Sequence, residues 1–153
     1  MTPATPPLSV VLDTNVVLDL YVFEAPATRA LREALEEGRV VAWVDEGTLL
    51  ELGYVLASRN FLPGRQVEAR GTALERYRAC ARLLREGEGG AVPNLPRCRD
   101  RDDQRFLVLA ARSQATWLVS KDKRVLSMAD RRDLPFSILT LRQALTRLDS
   151  RQD

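Results

Sequence analysis

Leu8-Ser9-Val10-Val11-Leu12-Asp13-Thr14-Asn15-Val16-Val17-Leu18 decides how the rest of the chain is read. Five residues, mostly apolar and partly β-branched, end at an acid, which suits a strand buried on both faces in a parallel sheet. Asp13-Thr14-Asn15 then supplies the capping chemistry that opens a helix over Val16 to Tyr21. Outward from this start the same alternation repeats. Leu31 and Leu35, with Ala27, Ala30 and Ala34, form the apolar side of a helix that stops at Gly38. Val40, Val41, Trp43 and Val44 make a second strand, and Glu46 to Ser58 a largely apolar helix. Pro63-Gly64 breaks the chain before a long charged helix from about Gln66 to Glu86. Gly87-Glu88-Gly89-Gly90 is a loop, and Ala91 to Leu95 reads as a third strand closed off by Pro96. Asp102 and Asp103 start a helix with Phe106, Leu107, Leu109 and Ala110 on its apolar side. Thr116 to Ser120 and Phe136 to Leu139 are strands, and Leu141 to Leu148 closes the chain as a helix. Strands alternating with helices predict an α/β domain with a central, mostly parallel sheet and helices on both faces.

The 153 residues suit one domain, with residues 1–7, rich in Pro, as an N-terminal tail, 8–149 as the folded unit and 150–153 as a C-terminal tail. Lys plus Arg is 23 and Asp plus Glu is 21, a net charge of +2 that argues neither for nor against a nucleic-acid partner. The absence of His excludes serine and cysteine hydrolase triads, His phosphorelays and His-based zinc sites. Cys80 and Cys98 have no CxxC spacing and read as structural thiols. No run approaches the roughly 18–20 apolar residues of a membrane span, and no signal-peptide pattern opens the chain. A cytoplasmic protein without a membrane role is expected.

Any chemistry must therefore run on carboxylates, backbone, Arg, Lys or a metal. In open α/β sheets the binding crevice lies outside the carboxyl ends of the strands. Asp13, the group Asp100, Asp102 and Asp103, and Asp122 fall at such places, and Glu51 stands among apolar neighbours in Thr48 to Leu56. Each has an ordinary alternative. Asp13 and Asp103 suit helix N-caps, Asp122 a turn, Glu51 an ion pair with an Arg, and Asp100 and Asp102 solvated charges. Together they are harder to explain this way, because carboxylates gathered round one cleft repel unless protonated or neutralised by a cation. An all-oxygen ligand set points to Mg²⁺ or Mn²⁺.

The segment Val10 to Leu18 resembles the opening motif of PIN-domain ribonucleases. Cys98-Arg99-Asp100-Arg101-Asp102-Asp103-Gln104-Arg105-Phe106-Leu107-Val108-Leu109-Ala110 is similar to the second acidic block of a bacterial, VapC-like PIN subfamily of toxin components, and Val119-Ser120-Lys121-Asp122-Lys123-Arg124-Val125-Leu126 resembles its third. The resemblance spans about Ser9 to Leu145. It implies a metal-dependent endoribonuclease, the toxin of a toxin–antitoxin system, with RNA as substrate, a cognate antitoxin as partner and a possible homodimer. It assigns catalysis to Asp13, Glu51, Asp103 and Asp122, and Mg²⁺ or Mn²⁺ ligation to Asp13, Asp103, Asp122 and Asp100. Asn15 and Ser120 would orient the carboxylates, and Arg99, Arg101, Arg105, Lys121, Lys123 and Arg124 would contact RNA phosphates. Arg101 stands where the subfamily usually has Pro, and whether Asp102 or Asp103 faces the metal is open. Two other functions fit the same fold: an inactive RNA- or protein-binding module, and a processing nuclease that is not a toxin. A haloacid-dehalogenase phosphatase needs an acid at position 15, a receiver domain needs acids before Asp13, and no phosphate-binding glycine loop occurs.

Overall fold

The computed structural model describes residues 6–58, 67–92, 95–97, 101–131 and 133–151; for 67–70, 101, 102 and 151 it describes the backbone only. In chain order the elements are β1 (Leu8–Leu12), α1 (Thr14–Tyr21), α2 (Arg29–Glu36), β2 (Val40–Val44), α3 (Glu46–Ala57), α4 (Val67–Cys80), β3 (Ala81–Leu83), α5 (Arg101–Ser113), β4 (Trp117–Val119), α6 (Lys123–Leu126), β5 (Ser137–Leu139) and α7 (Leu141–Arg151). A single 3-10 turn, Pro26–Thr28, precedes α2.

The five strands form one sheet in the order β3-β2-β1-β4-β5, and every pairing is parallel. Leu8 aligns with Val40 on one side of β1, and Val11 aligns with Leu118 on the other. The two-residue period of a strand splits its side chains between two cores. Val10 and Leu12 point with Val40, Ala42, Val44, Trp117 and Val119 into the layer of α1, α2, α3, α4 and α7. Val11, Leu118 and Ile138 point into the layer of α5 and α6. A parallel sheet covered on both faces needs strands apolar throughout, and Val10, Val11 and Leu118 are fully buried. Gly38, at φ +80, terminates α2 in the left-handed conformation that a side chain disfavours, and Arg39 donates its amide back to Ala34.

The second half of the chain departs from its sequence reading in one stretch. The long helix does not run on to Glu86: α4 ends at Cys80, and Ala81–Leu83 continue without a loop as the third strand. Of the strand expected at Ala91 to Leu95, residues 91, 92 and 95 are irregular and 93–94 lie outside the described residues. Arg78 to Arg85 is made of helix formers, so its local preference is helical. Pairing of Ala81 to Leu83 with Ala42 to Val44 overrides that preference. As an edge strand, β3 tolerates an exposed Arg82 and a half-exposed Leu83. The structure also adds the one-turn α6 after Asp122.

β1 sits at the centre, and the chain leaves it toward β2 on one side and reaches β4 on the other. The carboxyl ends of β1 and β4 therefore flank the topological switch point, where an open α/β sheet leaves a crevice.

Candidate active site

Asp13 follows β1 directly and lies at that crevice, 5% exposed. Its carboxylate serves two elements at once. Oδ1 accepts the amide of Val16 at 2.9 Å and so caps α1. Oδ2 accepts the Ser120 hydroxyl and, at 3.0 Å, the Lys121 amide, both just beyond β4. The main chain sets this geometry, because the Asp13 amide itself donates to the Val119 carbonyl at 3.0 Å. The capping role and a role at the crevice are thus compatible: each uses a different oxygen. Burial pushes the Asp13 carboxyl above its ordinary 3.8, the bonds from Ser120, Val16 and Lys121 oppose the rise, and the nearby charge of Asp122 adds to it.

The polar connections continue from Ser120. Its fully buried hydroxyl oxygen accepts the Asp122 amide at 3.0 Å. Asp122 caps α6, accepting the Arg124 amide at 2.7 Å, so it is more than a turn residue. Asp122 also lies beside the Asp103 carboxyl of α5, which helps to hold it down. Burial raises the Asp122 carboxyl, but the Arg124 amide and the Asp103 carboxyl outweigh it and leave the group below its ordinary range. Asp103 is the third residue of α5 and not its N-cap. The backbone of Asp102 lies one position earlier on the same turn, and its side chain is outside the described residues.

Glu51 reaches the first turn of α1 from α3. Thr14, the residue after Asp13, donates its hydroxyl to Glu51 Oε2 at 2.7 Å. Among the described residues Glu51 has no ion pair with an Arg. Asn15, expected to orient a carboxylate, is exposed, and among the described residues no hydrogen bond joins it to one. Thr14 takes that place for Glu51. The sequence offered Thr14 only as part of a helix start, since nothing local signals a partner 37 residues away.

The cations expected on RNA divide. Lys121 pairs with Asp19 at 2.9 Å, and Arg105 donates to the Gly47 carbonyl at 3.1 Å, tying α5 to the first turn of α3. Lys123 and Arg124 are exposed on α6 beside Asp122. Arg99, the expected ligand Asp100, and the side chain of Arg101 lie outside the described residues.

The donors here are all oxygen, and neighbouring carboxyl groups such as Asp122 and Asp103 repel in a way that a divalent cation would offset. The chemistry of the set fits such a cation. As the side chains stand, no three acids among the described residues form a ligand group, and the Asp13 oxygens accept from Val16, Ser120 and Lys121. No helix among them is long and apolar enough to cross a membrane.

The sequence pattern of the PIN domain matches residues 9–124. No curated protein matches the chain significantly. Among solved structures, PAE2754 from Pyrobaculum aerophilum is similar in fold, with a TM-score of 0.59 over 94% of this chain and 90% of its own, at 15% identity.

Proposed function

The chain belongs to the PIN domain family, whose members are generally nucleases that use a divalent metal, and we propose that it is a Mg²⁺- or Mn²⁺-dependent endoribonuclease. The observation that carries this reading is the run of hydrogen bonds from Asp13 through Ser120 to Asp122 across the switch point, with the Asp103 carboxyl beside Asp122. Asp13, Asp103 and Asp122 would hold the cation, Asp100 is a further candidate ligand, and Glu51 is the fourth catalytic acid. A divalent cation supplies Lewis-acid chemistry there, offsetting phosphate charge and making water acidic enough to deprotonate near neutral pH.

The protein's own part is to hold the acids. Ser120 fixes Asp13 in a buried contact that excludes water, and the Arg124 amide fixes Asp122 at the surface. Lys123 and Arg124, exposed beside Asp122, would contact an RNA phosphate. We read the protein as a cytoplasmic toxin component with a cognate antitoxin. Leu50 and Tyr54, 63% and 72% exposed on α3, offer an apolar face for a protein partner, either the antitoxin or a second copy of the chain.

The test is cleavage of a structured RNA by the purified chain. Cleavage should be abolished by EDTA and restored by Mn²⁺ or Mg²⁺. Strong cleavage that persists in chelator, or none at saturating Mn²⁺, overturns the proposal.

A further inference from the structure

We infer that Thr14 is the positioning residue for Glu51: it fixes one carboxylate oxygen through a neutral donor and leaves the charge and the second oxygen for the cleft. The inference rests on the nuclease reading and adds to it a residue whose role the motif does not supply.

A carboxylate drawn partly out of water is stabilised by a charged or hydrogen-bonding partner. Glu51 is half-buried, and among the described residues it has no ion pair; its partner is the Thr14 hydroxyl at 2.7 Å on Oε2. A hydroxyl donates one hydrogen bond and carries no charge, so the negative charge of Glu51 is oriented without being neutralised. An Arg in its place would satisfy both oxygens and cancel the charge that a cation or a substrate proton requires. Among the described residues Oε1 has no hydrogen-bond donor.

Thr14 is suited to the task by its location. It is the first residue of α1, and Asp13 before it caps the same helix and accepts from Ser120 and Lys121. A β-branched side chain has few rotamers, so the helix backbone sets the direction of its hydroxyl. Glu51 is thereby referenced to the backbone that carries Asp13, although it arrives on a different helix. The Arg105 guanidinium on the Gly47 carbonyl holds the start of α3.

The experiment compares Thr14→Val, which keeps the shape and removes the donor, with Thr14→Ser, which keeps the donor, each alone and in a Glu51→Gln background. Thr14→Val should lower kcat about 10–100-fold, as loss of an orienting partner does, with little change in KM. Thr14→Ser should restore most of the loss, and Thr14→Val should cost nothing further once Glu51 is Gln. A crystal structure of Thr14→Val, the readout independent of activity, should show the Glu51 carboxylate displaced. Full activity in Thr14→Val, an undiminished penalty in the Gln background, or a Glu51 that keeps its place without the hydroxyl each overturns the positioning role alone. Wild-type protein without divalent-dependent cleavage overturns the nuclease reading, and this role with it.

Discussion

Asp13 and Glu51 are both acids at the carboxyl edge of the sheet, yet they are held by different kinds of structure. Asp13 accepts the Val16 amide of its own helix and, once β1 pairs with β4, a second main-chain amide and a buried hydroxyl. Glu51 accepts one side-chain hydroxyl, on a helix whose place depends on packing and on Arg105. The first half of the site is a consequence of the fold. The second half is adjustable, and the two should answer differently to substitution.

The largest effect is expected from Asp13→Asn. An amide NH₂ would meet either the Val16 or the Lys121 N–H, so one of the two bonds is lost along with a ligand charge. Activity should fall by more than about a hundredfold, beyond the range for an orienting partner. The stability signature has a defined sign. The carboxyl is raised in the folded chain, so between its ordinary 3.8 and the raised value the folded state binds the extra proton. Its contribution to metal-free stability therefore falls as pH rises through that window. Asp13→Asn should flatten that part of the dependence, measured as melting temperature against pH in EDTA. An unchanged pH profile would separate Asp13 from the crevice electrostatics.

Ser120→Ala should come next. It removes a donor to Asp13 and an acceptor for the Asp122 amide together, so activity should fall about 10–100-fold. Stability should fall by about 1–3 kcal/mol, the cost of buried polar groups left unpaired. A smaller loss of activity than that of Thr14→Val would reverse the ranking of the two halves.

The smallest effects separate struts from phosphate contacts. Lys123→Ala should weaken RNA binding a few-fold and reduce the slope of log K against log salt by about one. Arg105→Ala should leave that slope unchanged while lowering turnover, because its guanidinium serves the Gly47 carbonyl. A reduced salt slope in Arg105→Ala would return this residue to the phosphate contacts.

The same division explains what could be read from sequence. β1, β2, β4 and β5 were legible because strands buried on both faces leave continuous apolar runs such as Val10-Val11-Leu12. Asp13 and Asp122 stood out because each follows such a run. β3 was hidden, since Ala81-Arg82-Leu83 is an edge strand that the neighbouring Ala42 to Val44 imposes on a helix-prone stretch. The Thr14–Glu51 bond, the Lys121–Asp19 pair and the Arg105 strut were not legible for a related reason. Each joins residues distant in sequence, and a charge near a motif carries no mark of whether it meets a phosphate or a neighbouring helix.

The pairing of β1 with β4 bears on when the site forms. Asp13 meets Ser120 across 107 residues, and a contact that distant must close a long loop before it returns any free energy. During synthesis Asp13 emerges 107 residues ahead of Ser120 and finds two of its three donors only after β4 has left the ribosome. Growing chains therefore lack the assembled crevice over that interval. Under the proposed function, cleavage would have to wait until the fourth strand is in place.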